Sequence, residues 1–301
     1  MQKGTGKIKG RVVKGSGVGA PPGVPEIVLR KTGSFAFNIA MLLFSITCIY
    51  PVIWIIYSSM KTKDEFMLNI MSLPSSLNLD NYVTAFFDGE MYIYFVNSIF
   101  NSVLTVALVI FISFSIGYAL SRFNFRFRNV IYTLFLAGIM IPIYSLIVPL
   151  FVQFRSLELT DKLGTLILPY VAIRLPLAIF LFESFIRTVP RELDEAAYID
   201  GTNTFYTMWR IIFPLCKPVT ATVLILTFLD TWNEFPFALV LLTQRSLRTL
   251  PVGLTDFYGQ YTTEYTTLMA ALVLSMLPVI IVYLAFRNKI IQGMTAGAVK
   301  G

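Results

Sequence analysis

Asp230, Asn233 and Glu234, with Trp232 among them, lie in and beside the stretch TWNEF (Thr231–Phe235), inside a long apolar run. Asp230 and Glu234 are four residues apart, a spacing that puts two carboxylates on one face of a helix. Carboxylate and amide oxygens accept hydrogen bonds from hydroxyl groups, and an indole plane takes the C–H face of a sugar ring. The group therefore suits a polyhydroxylated ligand inside an apolar body. Arg174 and Glu183 sit in a second apolar run. A charge at the centre of a membrane helix costs about 2.5–3.5 kcal/mol on insertion scales, so each must face the bundle or water. Two uses fit these groups, and both stay open at this point. They line a polar path or its gate, or Arg174 pairs with one carboxylate and ties two helices together.

Other chemistries are excluded by what the chain lacks. It has no histidine, which removes imidazole bases, proton relays and His-ligated metals. Its two cysteines, Cys48 and Cys216, stand in different settings and suggest neither a disulfide framework nor a metal site; both are expected as small buried residues. GTGK (Gly4–Lys7) lacks the upstream glycine of a phosphate loop, and Ile8 stands where Ser or Thr would hold magnesium. An intramembrane enzyme would need a paired Asp motif or an activated Ser, and neither stands out.

The elements that must position these residues are membrane helices. The chain has 301 residues, of which 56% are hydrophobic and 14% charged, against about 25% charged in a soluble domain. Six runs approach the roughly twenty apolar residues needed to cross a bilayer: Phe35–Tyr57, Tyr94–Leu120, Val130–Phe154, Leu163–Phe185, Val219–Leu242 and Thr267–Phe286. Continuous apolar runs, rather than alternation, predict an all-α polytopic membrane protein and not a barrel. With the N-terminus inside, seventeen Lys and Arg fall on the cytoplasmic side and six outside, with Arg174 left in a span. Both termini are then cytoplasmic, in a cytoplasmic membrane. The net charge of +7 is a topology signal and not a nucleic-acid footprint. Residues 1–33, rich in Gly, Pro, Val and Lys, read as a disordered basic tail ahead of a membrane domain over 34–301. No convincing inverted repeat relates the halves, which argues against an ion-coupled secondary transporter.

One segment, about 187–218, interrupts the apolar pattern on the cytoplasmic side. VPRELDEAA predicts a helix start, with Pro190 in the first turn and Glu192, Asp194 and Glu195 at the positive end of the dipole. Ala196 and Ala197 keep its surface thin, and Gly201 can break it where the chain must turn. Phe205, Tyr206, Met208 and Trp209 are expected along the membrane interface, before Pro214 and Pro218 redirect the chain. The helix either fits a groove in a soluble partner, with Glu195 meeting an Arg, or is an amphipathic connector.

Glu195-Ala196-Ala197, Asp200-Gly201, Ile211, Pro214 and Pro218 resemble the EAA loop of binding-protein-dependent ABC importers. TWNEF and TLPVGL (Thr249–Leu254) resemble the carbohydrate importers. GMTAGAVKG (Gly293–Gly301) is similar to the tail of the second permease in maltose-type systems. The resemblance runs from about Gly33 to Gly301 and implies a type I ABC importer permease fold with six transmembrane helices. It implies ATPase coupling through Glu195, Ala196, Ala197, Asp200, Gly201, Ile211 and Pro214. A tail over about 287–301 would place Thr295, Ala296, Gly297, Ala298, Val299, Lys300 and Gly301 between two ATPase subunits. Asp230, Trp232, Asn233 and Glu234 are the expected path residues. The implied partners are a homologous permease, two ATPase copies, an extracytoplasmic sugar-binding protein, the bilayer and a di- or oligosaccharide. ATP and magnesium would be held by the ATPases, so the chain itself would carry no cofactor and no catalytic residue. By the same likeness, the outer segments Lys61–Tyr92 and Leu242–Thr266 face the binding protein.

Overall fold

The computed structural model describes residues 26–258 and 264–298, and the chain separates into two units, Met1–Ile53 and Trp54–Gly301. The helices that matter here are numbered in chain order. α1 (Glu26–Ser58) starts inside the predicted tail, so the boundary at 33 falls within a helix. Residues 1–25, 259–263 (with Gly259) and Val299–Gly301 lie outside the described residues. Over Phe37–Tyr57 no side chain is buried, and Phe37, Leu42 and Phe44 are all exposed. A helix apolar on every side needs lipid or another apolar surface around it. Cys48 is on this helix and is exposed, contrary to the expectation that it is buried.

In the second unit α2 (Lys63–Leu68) carries a capping box between Thr62 and Glu65. The centre is α3 (Met91–Arg122), packed along α6 (Ile167–Ile186), with α4 (Arg128–Ile139) and α5 (Ile147–Ser156) between them in sequence. The buried face of α3 runs Tyr94, Ser98, Ser102, Thr105, Val109, Ser113, Gly117 and Ser121 at a spacing of three or four, with Asn97 and Asn101 beside it. Small residues at that spacing let helices approach closely, as membrane bundles require. At Gly117 a Cβ would stand 2.9 Å from Phe182 Cβ and 3.0 Å from the Glu183 amide, so α6 lies against bare backbone there.

α7 (Glu192–Ile199) is followed by a π-helical stretch, Thr207–Ile212, and then by α8 (Lys217–Trp232), α9 (Pro236–Leu241) and α10 (Tyr265–Ala298). α8 packs on both α3 and α10, around a cluster that holds Tyr94, Phe228, Trp232 and Ala270. Among the described residues there is no strand.

Four helices are long and apolar enough to cross a membrane, and two bent pairs bring the number to as many as six. The predicted third span is one of those pairs: α4 ends at Ile139, and Ile143–Ser156 continues at 93°. Pro142 explains the break, since it has no N–H and disfavours α geometry in the residue before it. The predicted fifth span, Val219–Leu242, also differs. α8 stops at Trp232, Asn233–Phe235 are not helical, and α9 restarts with Pro236 in its first turn. Ahead of α8, Thr204–Leu215 meets it at 80°. α10 continues through Ala298, so Thr295–Ala298 are helical rather than the flexible segment their small residues suggest.

Candidate functional site

α7 starts where the sequence puts acidic residues: Glu192, Asp194 and Glu195 fill its first turn. Pro190 precedes the helix instead of joining that turn. The end is fixed by backbone geometry. Gly201 has φ 78°, its amide donates to Tyr198 O at 3.0 Å, and the Thr202 amide donates to Ala197 O at 3.1 Å. These are the paired bonds of a Schellman cap, which favours glycine at the left-handed position. A Cβ there would meet nothing within 4 Å, so within this chain Gly201 is required for its φ and not for space.

The two faces of α7 differ. Asp194 and Ala197 turn inward, and Ala197 is 3% exposed. Glu195, Ala196 and Asp200 turn outward with Tyr198 (81% exposed) and Ile199 (83%). Only one alanine of the pair is therefore on the open face. The Glu195 carboxylate makes no hydrogen bond or ion pair among the described residues. Tyr198 and Ile199 are absent from the sequence-derived set, although their i+3 and i+4 spacing from Glu195 places all three on one face. Ile211 packs against the core around Phe114, Phe182 and Ile212 and does not reach that face, whereas Pro214 is exposed. Phe205 and Tyr206 are exposed, whereas Trp209 is partly buried. Its ring lies 4.9 Å from Phe114, 5.2 Å from Phe111 and 5.1 Å from Phe213 by centroid, so it ties this segment to α3.

A cavity of about 240 Å³ lies between α6 and the α8–α9 break, with Tyr144, Tyr170, Arg174, Asp230, Asn233 and Glu234 in its wall. Arg174 pairs with Asp230 at 2.6 Å and so joins α6 to α8, as the structural alternative anticipated. Glu183 takes no part in this pair. It is buried near the far end of α6 with Arg187 beside it and Arg128 at 3.6 Å. Glu234 does not share a helical face with Asp230, because the helix ends before it. Its carboxylate accepts from the Phe237 amide (2.7 Å), the Ala238 amide (3.1 Å) and the Tyr170 hydroxyl (2.5 Å). It caps α9 and ties it to α6. Trp232 turns away from the cavity towards α10, where its indole N–H donates to Ser275 O at 3.1 Å and its ring stacks on Phe228. Asn233 is exposed, and its amide donates to Leu229 O. Of the four expected path residues, Asp230, Asn233 and Glu234 border the cavity and Trp232 does not.

At the opposite end of α3 the segment after α9 is built rather than loose. Leu250, Val252 and Gly253 of TLPVGL are buried, and the Leu250 amide donates to Ser98 Oγ at 2.7 Å. A Cβ on Gly253 would fall 2.0 Å from the Tyr94 ring. Tyr94 donates to Asp256 (2.7 Å) and accepts from Arg245 (2.8 Å), while Asn97 donates to the Ser246 and Arg248 carbonyls. Asp161 holds the start of the segment, accepting from the Thr243 and Gln244 amides at 2.6 and 2.9 Å and from the Thr243 hydroxyl. Partial burial raises its pKa, but these three donors outweigh that and hold it below the usual value.

The model of the family described as "Binding-protein-dependent transport system inner membrane component" matches residues 110–296, from mid-α3 to the end of α10. The chain belongs to this family. This inner membrane component is 36% identical over 287 residues to the sulfoquinovosyl glycerol transport system permease protein SmoH of Agrobacterium fabrum, covering 95% of the chain and 100% of that protein. It is 34% identical to the arabinooligosaccharides transport system permease protein AraQ of Bacillus subtilis (91% and 100% covered). It is 36% identical to the trehalose/maltose transport system permease protein MalG of Thermococcus litoralis (87% and 95% covered). Its fold is that of a chain in a crystal structure of a bacterial ABC transporter involved in the import of alginate. The TM-score is 0.79 at 23% identity, covering 89% of this chain and 99% of the other.

Proposed function

We propose that this chain is the membrane-spanning subunit of an ATP-driven importer that passes a di- or oligosaccharide from an extracytoplasmic binding protein into the cell. The observation that supports it best is the open face of α7. Glu195 is unpaired among the described residues, and Tyr198 and Ile199 stand almost fully exposed beside it on a capped helix. An apolar pair next to a free carboxylate on a rigid helix suits a groove in a soluble protein that offers an Arg. That partner is an ATPase, in two copies, which binds ATP and magnesium and performs the hydrolysis. The permease itself is not an enzyme. The α7 face and both termini lie in the cytoplasm, and the packed segment 242–257 faces the binding protein outside.

A second, homologous permease completes the path. On this subunit's side the path or its gate is the cavity with Asp230 and Asn233 in its wall, supported by Glu234. The C-terminal tail, Thr295–Gly301, enters the interface between the ATPases. The carbohydrate cargo follows from relatives whose names specify sugars and from a wall of acceptors beside aromatic residues.

Native mass spectrometry of the assembled complex, with sugar uptake into proteoliposomes, tests this reading. The expected particle holds one copy of this chain, one homologous permease and two ATPases. A transport-competent homodimer of this chain would overturn it.

A further inference from the structure

The inward face of α7 is held by one carboxylate. Asp194 Oδ1 accepts from the Tyr118 hydroxyl at 2.7 Å, and Asp194 Oδ2 lies 2.9 Å from Arg122 Nε. The second contact is an ion pair without hydrogen-bond alignment. The Arg122 side chain is only 6% exposed and that of Asp194 20%, so solvent screens the pair far less than an open surface pair. Two further bonds join the same parts: Arg122 donates to Val189 O at 3.0 Å, and Arg191 donates to Ser121 O at 3.2 Å. Ser121 O is among the last carbonyls of α3, which have no partner inside the helix. Tyr118 and Arg122 are four apart and share one face of α3.

The other end of α3 is equally engaged. Tyr94, Asn97 and Ser98 hold the 245–256 segment through the bonds described above. Tyr94 and Tyr118 are 24 residues apart on one unbroken helix, about 36 Å at 1.5 Å per residue. Between them Gly117 presses on the α6 backbone, so α3 is clamped along its side and has little freedom to bend locally. α7 has a second attachment, through Ala197 and the Thr202–Thr207 hydroxyl bond (2.9 Å), which leads to Thr204–Leu215 and α8.

We propose that Asp194 is the positioning residue through which α7 acts on α3, so that movement of α7 reaches the 245–256 segment through a single stiff helix. The inference rests on the proposal that α7 docks the ATPase; Asp194 borders one cavity with Glu195 and Tyr198, but both of its carboxylate oxygens are engaged with α3, which assigns it to transmission. Ala197 and the hydroxyl bond do not replace it, because they lead to Thr204–Leu215, which meets α8 and touches α3 through the rings of Trp209 and Phe213 against Phe111 and Phe114, farther along that helix.

The test uses the full complex in proteoliposomes with Asp194→Asn, Tyr118→Phe and the exchange Arg122→Asp with Asp194→Arg. Three quantities are read: ATPase retained on the purified membrane subunits, ATP hydrolysis without binding protein, and sugar transported per ATP. Asp194→Asn is expected to retain the ATPase and its unstimulated hydrolysis, while transport per ATP falls about fivefold or more, the lower range of coupling between sites. Tyr118→Phe, which leaves the ion pair, is expected to lose less. The exchange is expected to recover about half of the loss, which a general packing defect would not allow. Unchanged transport per ATP in Asp194→Asn with ATPase bound would overturn the inference and leave the docking proposal standing. Loss of the ATPase in that variant would also overturn it, by making Asp194 part of the docking surface. If Asp194→Asn fails to assemble, Tyr118→Phe and the exchange decide by the same ratio. A parent complex that holds its ATPase elsewhere than on α7 would overturn the docking proposal itself.

Discussion

Replacing Glu234 separates support from transport. In Glu234→Gln one carboxylate oxygen becomes an NH₂ group, which cannot accept. If the remaining oxygen keeps the Phe237 amide, the Ala238 amide and the Tyr170 hydroxyl both lose their acceptor. Hydrogen bonds to a charged group contribute about 1.5–3 kcal/mol each. The Tyr170 oxygen can turn to accept from the new NH₂, which recovers part of one of them. A net loss of about 2 kcal/mol follows, or roughly 4–8 °C in apparent melting temperature for a chain of this size. Tyr170→Phe removes one bond of the three and is expected to lose about 1.5 kcal/mol. The double variant should then be less destabilised than the sum, since both changes break the same contact. Thermal unfolding of the purified membrane subunits, read by intrinsic fluorescence, supplies the three values. Glu234→Gln that melts with the parent but transports differently would refute the cap and return Glu234 to direct contact with cargo.

Three other outcomes follow from single contacts. Gly253→Ala should destabilise by about 3 kcal/mol, at the upper end of ordinary overpacking, because Tyr94 is fully buried and held by Asp256 and Arg245; an unchanged melting temperature would contradict that close approach. The Asp161 clamp is present above the ordinary carboxylate pKa and is lost only as pH falls through its lower folded value. The melting difference between the parent and Asp161→Ala should accordingly stay constant from pH 7 to about pH 5 and shrink only in stronger acid, and shrinkage already near neutrality would show that another group is titrating. Asp230→Asn should change transport while sparing assembly, whereas Arg174→Ala, which leaves the Asp230 charge without its partner at 2.6 Å, should destabilise more than Arg174→Leu with Asp230→Leu; equal melting of the two would mean that the unpartnered carboxylate costs nothing there.

What could be read from the sequence was what local composition determines. Apolar run length locates the membrane helices, and the acidic first turn with Gly201 bounds α7, because caps and dipoles depend on neighbours within a turn. The break at Asn233–Phe235 was harder to see: TWNEF continues a helical apolar pattern, and only Pro236 signals a restart. The roles of Glu234 and Asp194 were not legible, since their partners Tyr170 and Tyr118 lie 64 and 76 residues away. The same applies to Trp209 and Trp232, whose aromatic character suits an interface or a sugar until the rings beside them are known. Gly253 could have been noticed, because a glycine among buried apolar residues often marks a close approach.

The central claim, that the open face of α7 is where the ATPase docks, is tested most directly by a photo-reactive residue at Ile199 in the otherwise unchanged complex. Leu68, 87% exposed on α2, serves as the control. The expected result is a cross-link from position 199 to the ATPase, none from position 68, and loss of the first when Glu195→Ala and Tyr198→Ala are combined. A complex that transports sugar and yields no ATPase adduct from position 199 would contradict the account.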